Sequence, residues 1–436
     1  MADHYLRALD AGAGEDALDA AHRSLAAAAQ RAADLHAHAQ VLALARKATQ
    51  LPGTADPTAL RLGAEAAADL RDLDTAQSLA EQSVEAAADE AARLQGVRTL
   101  GRVLLAGLSM ASARALLEEH WDPTRIDEPA MAWLGSDLAR SMMLSGARPE
   151  AAPLAELVLA AAERAADMEL VIESMNTLGT SRTAGHLHLP IAILKEAVSI
   201  AEEFGSLAAL ARALNNSIVI GWNNGKKSVR DQQERLTAVS QRLGSQDYIS
   251  RTHLFWALHL HAEGDFEGAR DILGSTTAEM REEYGLALIQ ALATWALDGA
   301  TGDLLDAARR GLQVLPDREE DPQGYGYLHD FIAMASYLGN DLALATHAAE
   351  QTHKSGEIPP EYAIEVPLLI ALETQDRDLL ESTRLHIAPA GQRPRSFGVM
   401  ADAVEQVLDG HPAGHRSVLD AAHLRAEVDG PLCGHL

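Results

Sequence analysis

Apolar residues recur at steps of three and four along most of this chain, the period of one face of an α-helix. Tyr5, Leu6 and Leu9 begin the pattern, and Leu18, Ala21 and Leu25 resume it, with Gly12 and Gly14 dividing two helices between them. A helix over 35–48 is stopped by Leu51, Pro52 and Gly53. From 91 onward the helical stretches come in pairs: 91–105 with 109–119, 130–144 with 150–166, and 170–181 with 189–204. The series continues as 207–221 with 227–243, 249–262 with 266–281, and 286–297 with 304–314. Residues 121–129, WDPTRIDEP, carry two prolines and two aspartates that break the period, so they read as a loop. The stretch 191–315 has no proline, whereas prolines cluster at 316–322, 359–360 and 389–394. That predicts uninterrupted helix pairs followed by a looser C-terminal third.

A glycine ladder sets the phase of the pairs. Gly107, Gly146, Gly185, Gly225, Gly264, Gly302 and Gly339 stand 37 to 40 residues apart, and Gly410 comes 71 residues after the last. An alanine usually follows five or six residues on: Ala113, Ala152, Ala269, Ala307 and Ala345. A glycine able to cap a helix in the left-handed conformation, then a helix with a small residue at its crossing, describes a helical hairpin. Stepping back by the period reaches Arg71-Asp72 and then Asp34-Leu35, turns without glycine but with Ala76 and Ala39 after them; Gln375-Asp376 falls on the same step. Repetition at this period predicts a solenoid. The expected fold is all-α, a right-handed superhelix of about ten or eleven antiparallel helix pairs, each touching only its neighbours in line. One such body spans 1–430, with N-terminal helices over 1–50, regular repeats over 51–355, looser repeats over 356–430 and a frayed tail at 431–436.

Composition narrows the function more than the fold. Aromatic residues make up 4% of the chain, which suits closely crossing alanine-rich helices better than a sheet core. The net charge of −27 repels a phosphate backbone and argues against direct nucleic-acid binding. A single cysteine, Cys433, leaves no disulfide framework and no cysteine zinc site. The start, MADHYLRALD, has neither the basic nor the apolar region of a signal peptide, and no apolar run reaches the ~18 residues of a membrane helix. The expectation is a cytoplasmic protein.

Segments such as EAVSIAEEFGSLAALARALNNS (196–217), HLHAEGDFEGARDIL (259–273) and YLGNDLALATHAAEQ (337–351) resemble degenerate tetratricopeptide repeats of the long-period kind. Repeats like these are similar to the C-terminal regions of large bacterial signal-transducing ATPases, cyclase-linked or LuxR-type, and DHYLRALDAG is similar to the segment that follows their ATPase module. The resemblance implies a protein- or peptide-binding regulatory module. No nucleotide-binding module, cyclase or helix-turn-helix tail accompanies the repeats, so ATP and DNA are carried onto no residue. A stand-alone repeat protein and a scaffold left from a larger regulator both fit.

Catalytic motifs do not emerge. Gly221-Trp-Asn-Asn-Gly225-Lys226-Lys227-Ser228 has three residues between its glycines where a phosphate loop needs four, and a second lysine displaces the hydroxyl. His36/His38, His186/His188 and His259/His261 are i,i+2 pairs, which diverge on a helix and cannot share an ion. No metal, cofactor or enzymatic activity is expected. The better candidate is a groove lined by the first helix of each pair, open to a protein segment, a peptide or a small signal. Asn176 lies 39 residues before Asn215, which Asn216 follows, and Arg212 lies 39 before Arg251. Amides can hold a peptide backbone or carboxylate, and two arginines would make the strip tolerant of anions. The alternative is that the asparagines bond between repeats and the arginines pair with neighbouring acids.

Overall fold

The computed structural model describes residues 15–182, 188–223, 230–276, 286–354, 362–386, 395–411 and four positions between 416 and 420. Gly185, Gly225, His186, Cys433 and most of the phosphate-loop look-alike lie outside them. Among the described residues every regular element is helical. The helices are α1 (Glu15–Ala33), α2 (His38–Gln50), α3 (Pro57–Asp69), α4 (Leu73–Glu85), α5 (Glu90–Ala106), α6 (Met110–His120) and α7 (Pro129–Leu144). They continue as α8 (Arg148–Ala165), α9 (Met168–Ser181), α10 (Leu189–Phe204), α11 (Leu207–Asn223), α12 (Arg230–Leu243), α13 (Gln246–Glu263) and α14 (Phe266–Gly274). The last are α15 (Leu286–Asp298), α16 (Thr301–Gln313), α17 (Pro322–Leu338), α18 (Leu342–Lys354), α19 (Tyr362–Thr374), α20 (Arg377–His386) and α21 (Arg395–Leu408). The expected loop at 121–129 contains one 3-10 turn, Pro123–Arg125, whose first amides Asp122 caps through Thr124.

Odd-numbered helices open each pair and even-numbered ones close it. Several of the corners between them are built the same way. One residue turns left-handed, and the next donates its amide back to the carbonyl five residues earlier, as in Asp72→Ala67 (2.9 Å), Asp265→Leu260 (2.8 Å), Asp341→Ser336 (2.8 Å) and Asp376→Ala371 (3.0 Å). Each of these aspartates then caps the second helix, accepting from Thr75, Gly268, Leu344 and Leu379 respectively. Glycine takes the left-handed position at Gly146, Gly264 and Gly410, but at other corners the chain places Arg71, Leu108, Asn340 or Gln375 there. Gly107 and Gly339 sit one residue early with ordinary negative φ, and Gly302 lies inside α16 while Gly299 turns the corner. Backbone bonds such as Ser109→Leu104 (2.9 Å) close the corner around Leu108, so a leucine tolerates the strain there, at a cost of about 1–2 kcal/mol. The following alanines Ala76, Ala113, Ala269, Ala307 and Ala345 are all buried at the crossing; Ala39 is exposed, and Val41 takes the inward place instead.

The crossing itself depends on a second, unanticipated set of glycines inside the first helices. A methyl on Gly63 would meet Ala45 at 2.3 Å and Leu79 at 3.2 Å; on Gly101 it would meet Leu117 at 2.9 Å; on Gly179, Leu194 at 2.9 Å. In each case a buried leucine of the next helix, 15 or 16 residues on, fills the notch.

The chain divides into two compact units. Unit 1 comprises Met1–Ser181, Ile193–Ala213 and Leu236–Ile249; unit 2 comprises Arg182–Ala192, Leu214–Arg235 and Ser250–Leu436. Within unit 1 the first helices pack on one another in order, α1 on α3, α3 on α5, α5 on α7 and α7 on α9. Contact confined to neighbours does not hold there. His38 Nε2 bonds the Leu243 carbonyl at 2.8 Å across 205 positions, so the end of α12 returns to the first hairpin. A strictly linear stack would not bring residues 38 and 243 of unit 1 together.

In unit 2, α15, α17, α19 and α21 pack in succession around one apolar core that includes Ile289, Ile332, Leu368 and Met400. Asp330 is buried among these residues, and burial pushes its carboxyl well above the usual range despite a bond from Thr352. The folded state therefore keeps a proton that the unfolded chain releases near its ordinary carboxylate pKa. Its contribution to stability is complete below that value and declines as pH rises toward the elevated one, by up to ~1.4 kcal/mol per pH unit. Asp330→Asn, neutral at every pH, is expected to raise the thermal midpoint more at pH 8 than at pH 5. Parallel melts of the two proteins across that range check it.

Candidate functional site: the inner face of unit 1

The first helices of unit 1 carry charged side chains that pair with one another. On α3, Arg61, Glu65 and Asp69 fall at steps of four on one face, and Arg61 pairs with Glu65 at 3.0 Å. Arg98 and Arg102 share one face of α5. Arg98 Nε donates to Asp137 Oδ2 at 3.0 Å, and its guanidinium lies 4.5 Å from the centre of the Trp133 ring. Trp133 in turn donates to Asp167 at 2.9 Å, and Asp167 caps α9 through Leu170. Thr99 reaches Glu65 across the gap from α5 to α3. Each side chain is thus fixed by the helix beside it.

Arg102 differs from its neighbours. Its side chain is 42% exposed, and its ion pair is a long one, 3.9 Å to Asp137. Burial by the surrounding protein would lower its affinity for the proton, yet Asp137, Glu65, Tyr248 and Glu169 together outweigh that and raise it. Those groups stand on α7 and α3, which pack on α5, and on α13 and α9, which lie further along the chain. Their shared influence means that the first helices face a common interior, which Arg102 enters with donors to spare.

Of the residues singled out from sequence, Asn176 and Arg212 lie in unit 1, and Asn215, Asn216 and Arg251 in unit 2. Arg212 is 5% exposed; it pairs with Glu173 and donates to Thr177 Oγ1 at 2.8 Å. Burial lowers it well below the usual range, and the nearby cation Arg140 adds to the effect. Asn176 is fully buried, and neither atom of its amide has a partner. Such a group costs about 1–3 kcal/mol when left unpaired. Asn215 donates to Asn216 at 3.3 Å, while the Asn215 carbonyl and the Asn216 amine have no partner. Arg251 is half-buried and its charge acts on Asp321, the buried cap of α17. Trp256 has Arg230 5.6 Å from its ring centre and His259 against its edge.

The sequence reading missed Arg98, Arg102 and Asp137. The signal was present: the 39-residue step from Asn215 to Asn176, continued backward, lands on Asp137 and then Arg98, and a step of 37 reaches Arg61. One repeat position therefore supplies Arg61, Arg98, Asp137 and Asn176, and Arg102 lies one helical turn after it.

Among the described residues no group of three or more His, Cys, Asp or Glu side chains could hold a metal ion, and no helix is long and apolar enough to cross a membrane.

No protein-family profile matches the chain, and no curated protein matches it. Solved structures do. A Rap protein complexed with competence and sporulation factor aligns with 71% of this chain and 80% of its own at 14% identity, with a TM-score of 0.44. The APC/C hetero-tetramer Cut9-Hcn1 aligns with 93% of this chain and 87% of its own at 11% identity, with a TM-score of 0.35. Likenesses of this strength say nothing about what the chain binds.

Proposed function

We propose that the chain is a non-catalytic binding module of tetratricopeptide type, and that the inner face of unit 1 receives an extended protein segment or peptide carrying a carboxylate. The observation that carries this reading is Arg102, a half-open guanidinium whose one ion pair is long, set among side chains from four other helices. An arginine's planar fork pairs with a carboxylate through two parallel bonds. The unpartnered amide of Asn176, at the repeat position of Arg98 and one turn before that of Arg102, supplies a donor and an acceptor suited to a peptide backbone. Arg212 serves the site by fixing Glu173 and Thr177 on α9. In unit 2, Asn215, Asn216 and Arg251 form a second contact strip in this proposal. Supporting a role in bacterial signal transduction or transcriptional control, in the cytoplasm, is the resemblance of the repeats to regulator C-termini; a scaffold left from a larger ATPase- or cyclase-type regulator is the second reading.

Random-peptide display against the whole chain tests the site. The enriched peptides should be acidic, and Arg102→Glu should weaken them at least tenfold, the effect of ~1.4 kcal/mol. Enriched peptides that bind Arg102→Glu as tightly as the parent would overturn it.

A further inference from the structure

The contact that closes unit 1 has a chemistry of its own. A backbone carbonyl only accepts, so His38 Nε2, 2.8 Å from the Leu243 oxygen, carries a hydrogen. The other ring nitrogen, Nδ1, stands 3.4 Å from Asp69 Oδ2. With Nε2 committed as a donor, Nδ1 meets a carboxylate favourably only if a proton lies between them, on the imidazole or on the acid. Either placement uses one proton. Without it, the Nδ1 lone pair faces a negative oxygen.

The surroundings make that proton matter. Burial raises the Asp69 carboxyl; His38 and the nearby Ser245 pull it down, Glu65 pushes it up and Arg102 pulls it down. Glu65 and Asp69 come from α3, Arg102 from α5, and the His36 ring lies 6.3 Å from that of His38 on the same corner. From the α12 end, the segment that docks offers the Leu243 carbonyl, Gly244 and Ser245. Gly244 is left-handed (φ +69), and a Cβ there would lie in van der Waals contact with the His38 ring at 3.6 Å. The corner at 244 is thus shaped to lie against the imidazole.

We propose that His38 and Asp69 form a proton-operated latch: one shared proton keeps residues 243–245 docked on the first hairpin, and its loss to solvent releases them. Further protonation at low pH leaves the Nε2 donor in place, so the latch stays shut in acid and opens on the alkaline side. Because Arg102 acts on Asp69, the latch and the guanidinium assigned to the guest are electrostatically joined. Opening gives a guest access to the interior; this last step rests on the binding reading above, whereas the latch does not.

Pulse-labelled amide exchange on the full chain, corrected for intrinsic rates between pH 5.5 and 8.5, tests it. Protection over 243–249 should fall about tenfold as pH rises. Asp69→Asn replaces the carboxylate with an amide that can donate to Nδ1, so its protection should stay high and independent of pH. His38→Ala should lack protection already at pH 5.5, while 59–67 and 131–139 remain protected in every variant, showing that unit 1 is folded. Identical pH profiles for the parent and Asp69→Asn, or full protection in His38→Ala, would overturn the latch. The acidic peptides from display should associate faster with His38→Ala than with the parent. If exchange behaves as stated and no peptide binds, the binding reading fails and the latch stands.

Discussion

Glu173→Ala is expected to destabilise unit 1 by about 3–5 kcal/mol, the largest effect of any single change to its interior. The substitution leaves the Arg212 guanidinium 5% exposed, with Thr177 and the Glu173 backbone carbonyl as its bonding partners on α9 and with Arg140 close enough to repel it. A buried cation that loses its counter-ion keeps the whole desolvation cost. Removing both charges is a different experiment. Arg212→Met with Glu173→Leu should recover most of the loss, because two apolar side chains of similar volume need no pairing. Denaturant unfolding of the four proteins in the cycle gives the coupling, and amide exchange over 168–181 locates it in unit 1. A cost below about 1 kcal/mol for Glu173→Ala would mean that water reaches the pair and that the interior is open there.

Gly63→Ala should cost about 1–3 kcal/mol, even though alanine is the better helix former by up to ~1 kcal/mol. The new methyl would lie 2.3 Å from the Ala45 methyl, and neither can rotate away. The same change at Gly101 meets Leu117, whose side chain can shift rotamer, and should cost less. Ala45→Gly combined with Gly63→Ala hands the methyl from one helix to the other and should restore stability. Equal losses at Gly63 and Gly101, or no rescue by Ala45→Gly, would show that backbone movement rather than a steric notch sets the spacing of α2 and α3. Thermal melts of the four proteins decide this.

The positions of the pairs were legible because period and punctuation agreed. The expected segments 91–105, 130–144 and 207–221 match α5, α7 and α11 to within one or two residues at most ends. Phase was harder to read. Gly107 and Gly339 mark corners, but the left-handed residue is the next one, since aspartate capping and the closing amide bond fix the corner whichever side chain occupies it. The notches at Gly63, Gly101 and Gly179 were hidden because a glycine within a helix is ambiguous until the leucine that enters it is known. His38 was weighed only as half of a metal pair. Its actual partners lie 31 and 205 residues away, a distance that local patterning does not span. Arginines on an amphipathic helix likewise read as solvated, and only the packing of unit 1 places Arg98 beside Trp133 and Asp137 and Arg102 among charges from several helices.

The order of side chains in the inner lane has a consequence for polarity. From α3 to α9 the repeat position passes from two guanidiniums, Arg61 and Arg98, through a carboxylate, Asp137, to an amide, Asn176. Identical rungs would let a visiting chain lie head-first or tail-first with equal ease. Here one end of the ladder is cationic and the other a neutral amide, so in the proposed binding mode a visitor with a single charged end is expected to lie in one direction, its carboxylate toward the guanidiniums.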